Sequence, residues 1–108
     1  MAKYLIEETT TSVAAAGILG KPEDRGEALK PVFRAAGCEL EHLYVSLNEN
    51  KAYLIVESPE LSNPYTVMGT IQASGAISSF KITPIVTISE AVDIFKKAAS
   101  LNYRAPGK

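Results

Sequence analysis

The stretch LEHLYVSLNENKAYLIVESP, Leu40 to Pro59, decides how the rest of the chain is read. Two runs rich in β-branched and aromatic residues are joined by the polar Asn48-Glu49-Asn50, the composition of a β-hairpin. The strands predicted on either side run from about Glu39 to Leu47 and from about Lys51 to Glu57, and Pro59 stops the second. With side chains alternating across a strand, Leu43, Val45 and Leu47 share one side of the first, and Cys38, Leu40, His42, Tyr44 and Ser46 the other. On the second strand Ala52, Leu54 and Val56 oppose Tyr53, Ile55 and Glu57. The aliphatic sets are those of a core face. The opposite set is too apolar for open water and too polar for a core.

Outward from the hairpin, each flank reads as a helix and a strand. Upstream, Lys3 to Thr9 is short and β-rich, a first strand, and Thr9 to Ser12 offers N-cap oxygens to an Ala-rich helical segment closed by Gly20. In KPEDRGEALKPVFRAAG, Pro22 and two acids mark a helix start and Gly37 its end, with Ala28, Leu29, Val32, Phe33 and Ala36 in one stripe. Pro31 removes a backbone donor within that stripe, which predicts a bend or a break into two shorter helices. Downstream, Ser62 or Asn63 is placed to cap a helix with Pro64 just inside, Val67, Met68 and Ile71 buried, and Gly75 as its stop. AISSFKITPIV is a fourth strand, with Pro84 suited to an edge or an end. TISEAVDIFKKAASL is a further amphipathic helix with Ser89 as cap and Ala91, Val92, Phe95, Ala98 and Ala99 on one side. The order is the β-α-β-β-α-β unit of a ferredoxin-like α+β split fold with an extra C-terminal helix, in a single domain over residues 1–108.

Composition narrows the classes of function. A chain of 108 residues holds one modest core, and burial through self-association would add to it. Twelve acids nearly balance eleven bases, so no long-range field draws in nucleic acid or an anionic membrane. The single cysteine, Cys38, cannot form an internal disulfide, which fits a reducing cytoplasm. The opening residues MAKYLIEETTTS lack the basic-then-apolar pattern of a signal peptide and the length of a membrane span. The mixed strand side then calls for a covering surface. A second copy supplies one most simply, since homodimers dominate soluble oligomers and two such sheets can close into a dimeric α+β barrel.

The pieces KPEDR, VESPE, ASGAI, ITPIVT and the terminal YRAPG, set in this order along nearly the whole chain, resemble the GYD-domain proteins. These are small bacterial proteins of the dimeric ferredoxin-like barrel type. The resemblance implies that fold and a homo-oligomer; the family carries no settled activity to transfer. Its Gly-Tyr-Asp signature at the hairpin is replaced here by Asn48-Glu49-Asn50-Lys51. Backbone geometry alone accounts for a Gly or an acid in such a turn, and Asn48 or Asn50 can take the left-handed conformation in its place. The effector domains of leucine-responsive-type regulators share the split fold and place a similar turn near an amino-acid pocket, an analogy of fold.

Candidate chemistry concentrates on the mixed face. His42, the only histidine, is a candidate general base with Tyr44 or Tyr53 as donor and Glu57 orienting the ring; the plainer reading is a rim histidine satisfied by a neighbour. Cys38 lies four residues away, roughly 13 Å along a strand, beyond shared coordination, so it reads as a buried inert thiol. With one His and one Cys a closed zinc site is excluded, and Gly69 and Gly75 do not have phosphate-loop spacing. Gly69 reads instead as a close-packing point. Glu7 and Glu8, adjacent on a strand, split between its faces, and with Glu39 and Glu41 they read mostly as solvated. No cofactor is expected. Three functions compete. The first is a homo-oligomeric barrel binding a small, partly apolar molecule, with Leu40, Tyr44 and Tyr53 as wall and His42, Glu57 and Lys81 for orientation. The second is a cofactor-independent isomerase or monooxygenase using His42 as acid/base. The third is a structural assembly unit.

Overall fold

The computed structural model describes residues 1–108. Its elements are β1 (Ala2–Thr10), α1 (Ser12–Gly20), α2 (Arg25–Ala35), β2 (Glu39–Ser46), β3 (Lys51–Ser58), α3 (Ser62–Ala73), β4 (Ile77–Ile85) and α4 (Ile88–Ala99). The strands make one antiparallel sheet in the order β2-β3-β1-β4. This is the ferredoxin-like split α+β fold, with α1 inserted before α2 and α4 appended at the end.

The alternation expected of half-buried strands places the core on one side. Ile6 of β1 and Leu54 and Val56 of β3 are fully buried, and Phe33 of α2 and Met68 of α3 close over them. Local signals set the helix ends. Asp24 caps α2 by accepting from the Glu27 backbone N–H at 3.2 Å, and Gly37, at φ 82°, turns the chain out of it. Gly75, at φ 86°, does the same after α3. Thr11 caps α1 by accepting from the Ala14 N–H, while its hydroxyl donates to the Gly75 carbonyl at 2.6 Å, fastening the two segments together. In the hairpin turn Asn50 takes the left-handed conformation, at φ 55°.

Several expectations need correction. Pro31 neither breaks nor divides α2, which is continuous from Arg25 to Ala35. Leu61, without a side-chain hydrogen bond, occupies the cap position of α3 in place of Ser62 or Asn63. α4 is capped by Thr87, not Ser89: the Thr87 hydroxyl accepts from the Glu90 N–H and the Glu90 carboxylate accepts from the Thr87 N–H, a full capping box. A Cβ added at Gly69 would meet nothing within 4 Å, so close packing is not its role.

The largest correction concerns β2. Its register against β3 shifts between Leu40 and His42, leaving Glu41 as the extra residue of a bulge. Leu40 pairs with Val56 and is buried in the core, whereas His42 pairs with Ile55 and lies on the opposite side. The sequence reading put Leu40 and His42 on one face. The extra residue separates them, because every slip of one residue exchanges the faces. Cys38 is likewise a core residue at 2% exposure and does not share a face with His42.

Helix coverage of the core side is uneven. α2 lies over β2, and α3 over β4 and β3. The hairpin end of β2 is left uncovered, with Val45 and Leu47 exposed. α1 stands across from it and buries none of its own residues. Between them runs an open groove of about 590 Å³, lined by Ala15, Ile18, Leu19, Leu43, Val45 and Leu47 among others. α4 also buries no residue.

Candidate functional site

The side of the sheet turned away from the helices is the candidate site, and strand register dictates its layout. Residues paired across the strands fall into transverse rows. One row runs Tyr44, Tyr53, Glu7, Lys81; the next runs His42, Ile55, Leu5, Thr83; a third runs Glu39, Glu57, Lys3, Ile85. The middle row thus has an apolar centre, Ile55 beside Leu5, with a ring and a hydroxyl at its ends. Charged rows flank it. β1 is a central strand, so its Lys3, Leu5 and Glu7 sit mid-face; reading the hairpin and β4 alone left them out.

The structure brings five of the six candidate residues onto this face and removes one. His42, Tyr44, Tyr53, Glu57 and Lys81 are there; Leu40 is in the core, where it cannot wall a site on the other side. The His42 and Tyr44 rings stack with centroids 6.2 Å apart and planes 23° from parallel. The Tyr53 hydroxyl donates to Glu49 Oε1 at 3.0 Å, and this bond to a carboxylate, which favours the neutral phenol, raises the Tyr53 pKa. Lys3 Nζ reaches Glu41 Oε1 at 2.6 Å and Glu57 Oε1 at 3.2 Å. The bond to Glu41 first, then that to Glu57, raises the Lys3 pKa. Glu57 is therefore engaged by Lys3 from its own end of the sheet. Lys81 is exposed, opposite Glu7 in register.

Two shallow depressions border these rows. One, of about 240 Å³, lies among Glu7, Thr9, Lys51, Ser79, Phe80 and Lys81. Another of about 240 Å³ surrounds the β2 bulge and reaches from Asp24 and Lys30 of the α2 region to His42 and Tyr44. No group of three or more His, Cys, Asp or Glu side chains is arranged to hold a metal ion. No helix is long and apolar enough to cross a membrane.

Glu8 is the residue whose state the sequence reading missed. It follows Tyr4 and Ile6 in the alternation of β1, pairs with Ala52 and Phe80, and is buried on the core side. Its Oε2 has no hydrogen-bond partner. Burial raises its pKa from 4.5 to about 6, since the low-dielectric surroundings penalise the charged form. The signal was present in the run Tyr4, Ile6, Glu8, whose period of two assigns all three to one face. Burial also raises the Cys38 pKa, partly opposed by a hydrogen bond with Ser58, which leaves the thiol protonated and unreactive.

Comparison with known proteins gives one matching family and two similar solved structures for the chain. Among solved structures it is similar to a protein of Agrobacterium tumefaciens at 10% identity and TM-score 0.49, covering 80% of this chain and 92% of that one. It is also similar to a dimeric ferredoxin-like protein from an uncultured marine organism at 18% identity and TM-score 0.35, covering 81% and 93%. No curated protein matches it. The model of a domain of unknown function, DUF3303, matches residues 2–99. The chain belongs to the DUF3303 family.

Proposed function

We propose that the chain is a single-domain, homo-oligomeric binding protein of the cytoplasm that holds a small, partly apolar molecule between facing sheets. The observation that carries this reading is the central row His42, Ile55, Leu5, Thr83. Two aliphatic side chains in the middle of a largely polar sheet face gain little in open water. Covered by the same face of a second copy, they become the floor of a chamber whose rim is polar. Leu5 and Ile55 are already half-buried, so covering them adds only part of the about 1.5–3 kcal/mol that fully burying such a side chain is worth. Tyr44 and Tyr53 then supply flat walls, and His42, Glu57 and Lys81 the polar groups that orient a ligand carrying one ionised or hydrogen-bonding end. The resemblance of KPEDR and ITPIVT to the GYD-domain proteins supports the paired-sheet arrangement.

The test pairs sedimentation with ligand-induced stabilisation. Wild-type protein is expected to sediment as a dimer or larger, and Ile55→Arg to lose the sheet-to-sheet contact. A panel of small amphipathic carboxylates and amines is expected to raise the wild-type melting temperature and to leave Ile55→Arg unmoved. A wild-type monomer whose Tyr44 and Tyr53 are freely nitrated in dilute solution would sink the reading. His42→Ala separates the remaining possibilities: a modest change in affinity fits binding, abolished turnover of an identified substrate fits an enzyme with His42 as acid/base, and little change of either kind fits a structural assembly unit.

A further inference from the structure

The sheet face turned away from the helices is unevenly charged, and the unevenness follows its rows. At the end that carries the β2 bulge, Lys3 is shared between Glu41 at 2.6 Å and Glu57 at 3.2 Å, two acids to one cation. At the hairpin end the balance is reversed. There Thr9 pairs with Lys51 on one side and Ser79 on the other, and one row further in Glu7 pairs with Lys81. With Phe80, these residues line a depression of about 240 Å³. None of the ion pairs of the chain uses Lys51, Lys81 or Glu7. Glu49, on the turn beside them, accepts from the Tyr53 hydroxyl at 3.0 Å and lies outside the lining. The lining thus holds two positive charges and one negative, a surplus of one cation. The depression at the bulge offers no free lysine, because its Lys30 is bonded to Glu27 at 2.8 Å.

The geometry of the rows says what such a surplus can hold. Lys51 and Lys81 stand two strand spacings apart and one row offset, roughly 12 Å between their backbones, so their side chains approach the depression from opposite sides. An anion between two ammonium groups relieves their mutual repulsion and gains charge-assisted hydrogen bonds from both. The Thr9 and Ser79 hydroxyls can donate to the same group. Glu7 sets a limit on it: one negative charge balances the site, and a second meets a carboxylate. Leu5 and Ile55 lie two residues along the strands from the Glu7 and Lys81 row, roughly 7 Å away. A hydrocarbon attached to the anion reaches them.

We propose that the depression at the hairpin end is an anion site, taking the carboxylate of a small monocarboxylic acid between Lys51 and Lys81 with its hydrocarbon over Leu5 and Ile55. This names the ligand class of the binding face described above and rests on that reading. Glu7 is the residue that turns away dianions.

Calorimetric titration at neutral pH with hexanoate, acetate, hexylamine and hexyl phosphate tests the assignment. Wild-type protein is expected to bind hexanoate more tightly than acetate, and to take up neither hexylamine nor hexyl phosphate. The double variant Lys51→Gln/Lys81→Gln is expected to bind hexanoate at least about tenfold more weakly. Lys96→Gln removes the same kind of charge from α4 and is expected to bind hexanoate like wild type. Glu7→Gln is expected to tighten hexanoate and to admit hexyl phosphate; continued rejection of the phosphate overturns the role of Glu7. Hexylamine bound in place of hexanoate, or hexanoate affinity equal in wild type and double variant, overturns the anion site and leaves the binding reading standing. A loss in Lys96→Gln as large as in the double variant overturns it as well, by showing a general effect of charge. Wild-type protein that sediments as a dimer and takes up none of the four compounds overturns the anion site and the binding reading together.

Discussion

The helices α2 and α4 are built alike and used differently. Each is eleven or twelve residues long, each has a side-chain cap at its N-terminus and a basic residue in its last turn, and each carries one apolar stripe with a phenylalanine in it. Phe33 of α2 is fully buried, while Phe95 of α4 is largely exposed. The difference lies in what the topology offers. α2 crosses from β1 to β2 and must lie on the sheet, whereas α4 follows an edge strand and does not lead into another strand of the sheet. Amphipathicity states that a helix has a side to hide; it does not state that the hiding place is on the same chain.

The sharpest way to break this comparison is to truncate both rings. Phe33→Ala empties a fully packed site and is expected to cost about 3–5 kcal/mol in denaturant unfolding. Phe95→Ala is expected to cost less than about 0.5 kcal/mol, the range of exposed positions. Equal costs in dilute solution would show that α4 is packed within the chain.

Glu8 sharpens the contrast from the buried side. Its carboxyl titrates at about 6 in the folded protein and at 4.5 in the unfolded chain, so as pH rises the unfolded chain releases its proton first. Its contribution favours folding fully below pH 4.5 and is lost as pH climbs to above 6, an amount of about 2 kcal/mol. Glu8→Gln is expected to flatten this part of the stability profile, read by urea unfolding at pH 4 and pH 7.5. An unchanged profile would show that Glu8 has a charged or hydrogen-bonding partner in solution.

Smaller again is the cap of α4. Thr87→Ala removes the capping box and is expected to lower helix content by circular dichroism, at a cost of about 1 kcal/mol to the helix. If α4 is held by a second copy, the same change also weakens association; if it is free, only the helicity falls. At the lower end, Lys3→Met removes the Glu41 and Glu57 pairs, which are partly exposed, and is expected to have the smallest effect on stability of the changes described, most of it lost in high salt.

Much of this architecture was legible because each element carried its own local instruction. The hairpin followed from two β-rich runs around Asn48-Glu49-Asn50, and the helix stops from Gly37 and Gly75. The bulge at Glu41 was not legible. LEHLYV alternates plausibly in either register, and no glycine or proline marks the extra residue, so Leu40 was assigned to the wrong side. The cap of α4 was legible but overlooked: Thr-Ile-Ser-Glu contains the Thr-x-x-Glu box, and Ser89 is a distraction within it. The place of α1 was not written locally at all. Its apolar residues point in every direction, so no stripe says which way it should lie.

The two borders of the sheet merit a last consequence. β2 carries the bulge and β4 carries Pro84, so one margin is kinked by a surplus residue and the other lacks an amide hydrogen where a neighbouring strand would seek it. Neither margin is a good template for adding further strands. Ribbon-like polymerisation by strand addition is thereby discouraged.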